Sequence, residues 1–187
     1  ATLASAFTYF NFLNKGENEI VFQANRSKIK AVRANNGITL SLPKDEPKDI
    51  GELNTFSQAL NSEALEVYKG IDDFMVVLED EAAIANNNPD FSLIKSMDSR
   101  GLIITAKGEE VDFVSRWYGP QTGINEDPAT GSAHALLATY WSKILNKSEL
   151  NARQLSKRVG HLKCEVKDDL VEITGQAKLY LKGNIKV

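Results

Sequence analysis

The 187 residues suit one large domain or two small ones, and 42% apolar with 25% charged residues is a globular balance that can bury a core. The net charge is -3 and the 22 basic residues are scattered, so the chain lacks the basic stripe of a nucleic-acid-binding protein. One cysteine excludes an intrachain disulfide, and no apolar run approaches the roughly 20 residues of a membrane span, so we expect a cytoplasmic protein without membrane contact.

The chain begins within a helical pattern. Residues 1–13 have helical apolar spacing but neither an initial Met nor a capping residue before them. We therefore expect that the natural protein has residues before Ala1. Short strands are predicted at 20–24, 28–34 and 38–42, and the Asn-Asn-Gly between the last two is typical of a hairpin turn.

The segment 43–49 is the best candidate for a linker, because it has two prolines, five charges and no large apolar residue. It separates a predicted first domain at 1–47 from a second at 48–187, whose final strand could return to the first. Further elements are predicted in the second domain. Helices are expected at 53–65, 91–97 and 132–144, and strands at 74–78, 101–106, 111–117, 160–166, 170–174 and 177–181.

The most informative stretch is 123–134, a polar loop with Gly and Pro that leads into a helix apolar nearly all round. Such a helix belongs in a core, and its N-terminus directs unsatisfied N–H groups and a partial positive charge at whatever the loop encloses. A following proline favours extended backbone at Asp127, and Gly131 lets a ligand approach the main chain. Thr130 and Ser132 suit either of two uses, hydrogen bonds to a bound carboxylate or an ordinary helix cap.

Residue spacing disfavours other kinds of site. Ser132 and His134 lie two apart on a helix, so they cannot face each other as a serine hydrolase requires. Two histidines without a Cys-x-x-Cys or His-x-x-x-His pair predict no metal site. We expect His134 to pack beside the helix start and Cys164 to fill the core. Arg116 is expected to form a salt bridge with Glu126 or with the aspartate that follows it.

The chain also contains a weak internal repeat. Residues 1–10 are similar to 133–141, since both are small-residue-rich helix starts that become aromatic after about two turns. Two explanations stay open, an internal duplication and a chance similarity between two helices. In a duplicated chain, each helix would be preceded by a segment of similar length. Because about 80 residues precede the helix of the second unit, on the order of 80 residues would then precede Ala1.

Several motifs resemble the phenazine-biosynthesis PhzF-like isomerase family. The longest is the Glu-Asp-Pro-Ala-Thr-Gly-Ser-Ala-His run at 126–134, and the others are Ser-Arg-Trp-Tyr-Gly-Pro at 115–120 and Gln-Leu-Ser-Lys-Arg at 154–158. The resemblance implies an α+β fold like that of diaminopimelate epimerase, with two pseudo-symmetric halves, each a curled, mostly antiparallel sheet around a central helix. Residues 1–47 would then be a remnant of the N-terminal half, with its central helix and the following strands, and 48–187 the C-terminal half.

The resemblance also implies a chemistry, the cofactor-free movement of a proton on a small carboxylated substrate at a site between the halves. The best-known member isomerises a dihydro-hydroxyanthranilate. Asp127 would be catalytic, while Thr130, Gly131 and Ser132 would bind substrate, with no metal. The family's acid–base glutamate and a histidine would precede Ala1, so residues 1–187 alone are expected to bind anions weakly and to catalyse nothing.

These inferences lead to a prediction with two alternatives. We predict a cofactor-independent isomerase or epimerase that acts on a small carboxylated metabolite by general acid–base catalysis. We also predict that the protein is a homodimer. The alternative is a non-catalytic anion- or metabolite-binding protein of the same fold. A third possibility is an interaction protein that uses a surface at Trp117 and Tyr118.

Overall fold

A computed structural model describes residues 1–24 and 26–184, which form two compact units. The first comprises Ala1–Ser41 with the residues from Thr174 onward, and the second comprises Leu42–Ile173. In the described part of the chain, no helix has the length and apolar character to cross a membrane. The domain division at 47/48 stays a prediction.

The first unit packs one helix against three strands. Helix α1 (Thr2–Thr8) continues as a π-helical turn at Tyr9–Leu13, which confirms the helix predicted at 1–13. The antiparallel strands are β1 (Glu19–Gln23), β2 (Lys28–Ala34) and β3 (Gly37–Pro43). Their core joins apolar side chains of the helical segment to those of β2 and β3; its buried members are Ala6, Phe10, Ala31, Ile38 and Leu40.

The second unit is built on a mostly antiparallel sheet. Its strands are β4 (Lys48–Asp49), β5 (Glu66–Lys69), β6 (Asp73–Val77), β7 (Gly101–Lys107), β8 (Phe113–Gly119), β9 (Ile124–Glu126), β10 (Glu149–Gln154), β11 (Gly160–Val166) and β12 (Leu170–Gly175). Their order is β12-β11-β10-β8-β7-β6-β5-β4, with β9 beside β8. The pairs β6–β7 and β8–β10 are parallel.

Helices cover both faces of this sheet. Helix α5 (Ala133–Leu145) lies on one face, and α2 (Leu53–Leu60), α3 (Glu81–Ala85) and α4 (Phe91–Lys95) lie on the other. Successive β7 residues therefore alternate between two cores: Ile103 joins the α5 core, while its neighbours join the other. This explains why β7 is an almost unbroken apolar run, as expected for a strand buried on both faces.

Helix α5 is the central element of this unit. Every residue from Ala133 to Trp141 is buried, which confirms the predicted core helix at 132–144 within one residue at each end. It ends at Asn146, whose left-handed backbone (φ 51°) serves as the C-cap. The Trp141 indole N–H donates to Thr105 Oγ1 on β7 at 2.9 Å, which fixes the helix against the sheet.

The sequence interpretation was wrong in several places, and one of them is the helix predicted at 53–65, which ends at Leu60. Residues 43–49 are not a free linker, because Lys48–Asp49 pairs with β5 and the Asp45 carboxylate accepts a hydrogen bond from the Ile71 N–H at 3.1 Å. The strand expected at 177–181 is absent, since residues 176–184 have no regular secondary structure. Strands β5, β9 and β10 were not predicted, although the inward residues of β10 include Leu150.

Trp117 makes two glycines of the second unit necessary. A Cβ at Gly101 would lie 2.5 Å from the Trp117 ring, and one at Gly119 would lie 2.0 Å from it. The indole thus packs directly on the main chain of β7 and β8. Overpacking of this kind costs typically about 1–3 kcal/mol.

We therefore predict that Gly101→Ala lowers the free energy of unfolding by about 1–3 kcal/mol, measured by urea denaturation. Gly16→Ala is the matched control, because nothing lies within 4 Å of a Cβ at Gly16. The control should show no loss of stability. Equal stability of the two variants would contradict the packing described for Trp117.

Candidate functional site

The loop between β9 and α5 carries all four predicted site residues: Asp127 and Thr130 are hydrogen-bonded to each other, and Gly131 and Ser132 lie at the start of α5. Asp127 is half-buried, and its Oδ2 accepts a hydrogen bond from Thr130 Oγ1 at 2.6 Å. Thr130 itself is buried, with 8% of its surface exposed. No hydrogen bond to Asp127 Oδ1 is found among the described residues, so that oxygen is available for a ligand.

Gln154, which the sequence analysis did not single out as a site residue, holds this loop in place. Its Oε1 accepts from the Thr130 N–H at 2.8 Å, and its Nε2 donates to the Asp127 carbonyl at 2.7 Å. The side chain is 1% exposed and stands at the end of β10. Ser156 adds a hydrogen bond to the Pro128 carbonyl at 2.9 Å. The loop is therefore held from outside by β10 and the residues after it, in addition to its own bond between Thr130 and Asp127.

The N-terminus of α5 is open. The N–H groups of Gly131, Ser132 and Ala133 find no hydrogen-bond acceptor within the described ranges 1–24 and 26–184. The next two N–H groups are satisfied by short-range bonds to the carbonyls of Gly131 and Ser132. A Cβ at Gly131 would meet nothing within 4 Å, so there is open space beside its backbone. Such an end attracts an anion through free N–H groups and the helix dipole.

Ser132 lies at the start of α5 but does not cap it. The structure finds no cap hydrogen bond from its hydroxyl to the helix, although serine is a favoured N-cap residue. Instead its Oγ accepts a hydrogen bond from Arg100 Nη1 at 2.8 Å. The side chain is exposed, so the hydroxyl can reach both the arginine and a ligand.

His134 is packed beside the helix start, as predicted. It is 0% exposed, its ring centroid lies 5.9 Å from that of Phe113, and its Nδ1–H donates to the Thr130 carbonyl at 2.9 Å. Burial lowers the pKa of His134 to about 4, against the opposing effect of the Thr130 hydrogen bond. The imidazole is therefore neutral at physiological pH, and its role is to support the loop.

Three further expectations from the sequence concern residues outside this loop. Arg116 forms two hydrogen bonds with Glu126, with Nε to Oε1 at 2.7 Å and Nη2 to Oε2 at 3.1 Å, which confirms the expected salt bridge. Cys164 is a buried core residue. Trp117 and Tyr118 are 4% and 0% exposed, so the proposed aromatic interaction surface was wrong. No cluster of potential metal ligands occurs in the described part of the chain.

The buried histidine predicts a specific pH dependence of stability. In the unfolded chain His134 regains its ordinary pKa near 6.5, so between pH 6.5 and about 4 the unfolded state binds a proton that the folded state does not. The free energy of unfolding should therefore fall as pH falls through this window, by roughly 3 kcal/mol from this group.

Chemical denaturation at a series of pH values would measure this effect. His134→Asn should be less stable at pH 7 but should lose less stability between pH 6.5 and 4 than the wild type does. His161→Asn, at an exposed position, is the control and should keep the wild-type profile. A His134→Asn profile parallel to the wild-type profile would refute the assignment.

Comparison with known proteins places the chain in a family. The family model described as phenazine biosynthesis-like protein matches residues 1–183. An uncharacterized isomerase of Pseudomonas aeruginosa is 38% identical over 185 residues, covering 99% of this chain and 71% of that protein. The phenazine biosynthesis-like domain-containing protein 1 of Mus musculus is 35% identical over 205 residues, covering 99% and 71%. The isomerase name supports an isomerase in general terms.

Solved structures agree on the fold. A phenazine biosynthesis protein of the PhzF family from Enterococcus faecalis has a TM-score of 0.94 and 42% identity, covering all of this chain and 72% of that one. A predicted epimerase from Pseudomonas aeruginosa has a TM-score of 0.68 at 16% identity, which shows the fold alone. The fold is thus α+β and like that of diaminopimelate epimerase, and the chain belongs to the phenazine biosynthesis-like protein family.

Proposed function

We propose that this protein is a cofactor-independent isomerase or epimerase that moves a proton on a small carboxylated metabolite by general acid–base catalysis. One observation supports this most strongly: the Asp127 carboxylate is fixed by Thr130, three residues further along the same loop, directly before the open N-terminus of α5. A proton-transfer group and an anion-binding group thus share a single short loop. The homodimer and the cytoplasmic location stay predictions from the sequence.

The anion-binding part would hold the substrate carboxylate. The free N–H groups of Gly131 and Ser132 are donors, and the hydroxyl of Ser132 is a third. Removing a proton from a carbon near the carboxylate delocalises negative charge toward it, and preorganised donors stabilise that charge as it develops. The helix dipole adds to the effect at the same end of α5.

Asp127 would exchange the proton. Its Oδ2 is held by Thr130, while Oδ1 has no protein donor among the described residues. When Asp127 removes the proton, the electron pair of the C–H bond is delocalised into the conjugated system of the substrate. A proton then returns to another carbon or to the other face, so the product has as many protons as the substrate. Thr130 and Gln154 orient the carboxylate during this exchange. The glutamate implied by the family resemblance would be the second acid–base group.

Hydrogen exchange into D2O tests the catalytic proposal. We would screen small carboxylates that have an acidic C–H conjugated to the acid group, including a dihydro-hydroxyanthranilate, by NMR. Asp127→Asn should lower the exchange rate of any active substrate by about 10²-fold or more. Asp168→Asn, in the exposed turn after β11, is the control and should be unaffected.

An unchanged exchange rate in Asp127→Asn would overturn the role of this residue. If no carboxylate on the panel exchanges but several bind, the non-catalytic binding protein becomes the better description. These two outcomes separate the enzyme from its alternative.

The anion-binding part is tested separately by Gly131→Ala. Since a Cβ here meets nothing within 4 Å, the variant should fold with an unchanged unfolding midpoint. The methyl group would occupy the space through which a ligand reaches the N–H groups, so the Kd for 2-aminobenzoate should rise at least about tenfold. The neutral analogue 2-aminobenzamide should bind weakly to both proteins. Equal affinity of both proteins for 2-aminobenzoate would contradict this placement of the carboxylate.

A further inference from the structure

Arg100 is held rigidly beside the start of α5. It directly precedes β7, and its Nε donates to Asp73 Oδ1 at 2.9 Å while Nη2 donates to the other carboxylate oxygen. The Asp73 side chain is 4% exposed and that of Arg100 is 33% exposed, so the carboxylate is buried while the guanidinium reaches the surface. The guanidinium also lies over the Trp117 ring, at 5.5 Å from its centroid. Trp117 is in turn packed on Gly101.

The remaining nitrogen of this guanidinium sets the direction of the Ser132 hydroxyl. Nη1 of Arg100 donates to Ser132 Oγ at 2.8 Å, and a guanidinium has no acceptor. The serine oxygen must therefore accept this bond, and its own hydrogen is left to donate elsewhere. Because the hydroxyl makes no cap bond to the helix, a ligand at the open helix end is an acceptor within its reach.

We propose that Arg100 is a positioning residue that presents the Ser132 hydroxyl as a donor to the substrate carboxylate. This inference rests on the proposed function, because it assumes that an anion occupies the start of α5. Arg100 would act through the serine and would not touch the reacting atoms. Asp73 and Trp117 fix the guanidinium, the guanidinium fixes Ser132, and Ser132 binds the carboxylate.

The charges around Arg100 favour orientation over long-range attraction. Burial lowers the pKa of Arg100, but the hydrogen bonds and the charge of Asp73 raise it. The charges of Asp72 and Asp45 act in the same direction, so the pKa of Arg100 lies above its ordinary value. The arginine is thus permanently charged and largely neutralised by its own carboxylate partner. Arg100 supplies a hydrogen bond of fixed direction at the site. A lysine cannot form this bond and also pair with both carboxylate oxygens of Asp73.

A purely structural arginine would give a different result from a positioning one. Arg100→Lys keeps a cation for the buried carboxylate, so we expect the protein to fold, but the bond to Ser132 should be lost. The Kd for 2-aminobenzoate should rise about five- to tenfold. Arg153→Lys is the matched control, because Arg153 also pairs with carboxylates, those of Glu81 and Glu110. It is the neighbour of Gln154 on β10, so its side chain points to the opposite face of the strand. This control should leave the Kd unchanged.

A double-mutant cycle decides whether the two residues act as one unit. Ser132→Ala should raise the Kd about tenfold, and Arg100→Lys in that background should add less than a further twofold. Independent effects that multiply would overturn the proposal, because they would show that Arg100 acts on the ligand without the serine. An unchanged Kd in Arg100→Lys alone would overturn it equally.

A ligand-free measurement separates this inference from the proposed function. In a crystal structure of Arg100→Lys, we expect the Ser132 hydroxyl to leave its present position; an unmoved hydroxyl would overturn the positioning role whatever the protein binds. A wild type that does not prefer 2-aminobenzoate to 2-aminobenzamide would instead refute the proposed function. If Arg100→Lys fails to fold, Arg100→Gln with Asp73→Asn removes both charges together, and the same serine movement and the same Kd increase are expected.

Discussion

Burial of α5 is the constraint on which the second unit depends. Nine consecutive residues of this helix are buried, and the α5-facing core of the sheet is built around them. A helix in this position cannot tilt or slide without opening that core. The location of its first turn is therefore determined by the packing of the whole unit, and a site formed by that turn needs no further adjustment when a ligand arrives.

The start of α5 lies at the surface at Ser132, unlike the buried residues that follow it, and its first N–H groups have no protein acceptor among the described residues. The first N–H groups of any helix have no acceptor within the helix, and serine or threonine side chains normally satisfy some of them. Here both side chains that could cap are engaged elsewhere: Thr130 donates to Asp127, and Ser132 accepts from Arg100. The helix end is left uncapped in a protein that possesses the residues to cap it. Under the proposed function, a bound anion would accept hydrogen bonds from these N–H groups.

Much of this arrangement was predictable from the sequence, and the failures have a common origin. The apolar character of 132–144 identified the core helix, and the Asp127–Ser132 run located the loop, because both signals are local. Gln154 was not predicted as a site residue because its importance depends on β10, which was not predicted either. That strand turns a small alanine and a polar glutamine inward, so its alternation is too weak to recognise without its neighbours in the sheet. Arg100 was missed for a related reason, since 32 positions separate it from Ser132.

These two missed residues tie the loop and the helix start to the sheet. Gln154 reaches the loop from the end of β10 and binds its main chain, and Arg100 reaches the helix start from the residue before β7 and binds a side chain. Each is anchored in the sheet that also packs against α5. The carboxylate of Asp127 and the hydroxyl of Ser132 are therefore both positioned by the same sheet, through independent contacts. The proposed acid–base catalysis would need this constancy, because a shift of about 1 Å between Asp127 and a bound carboxylate would be enough to cost about 10²-fold in rate.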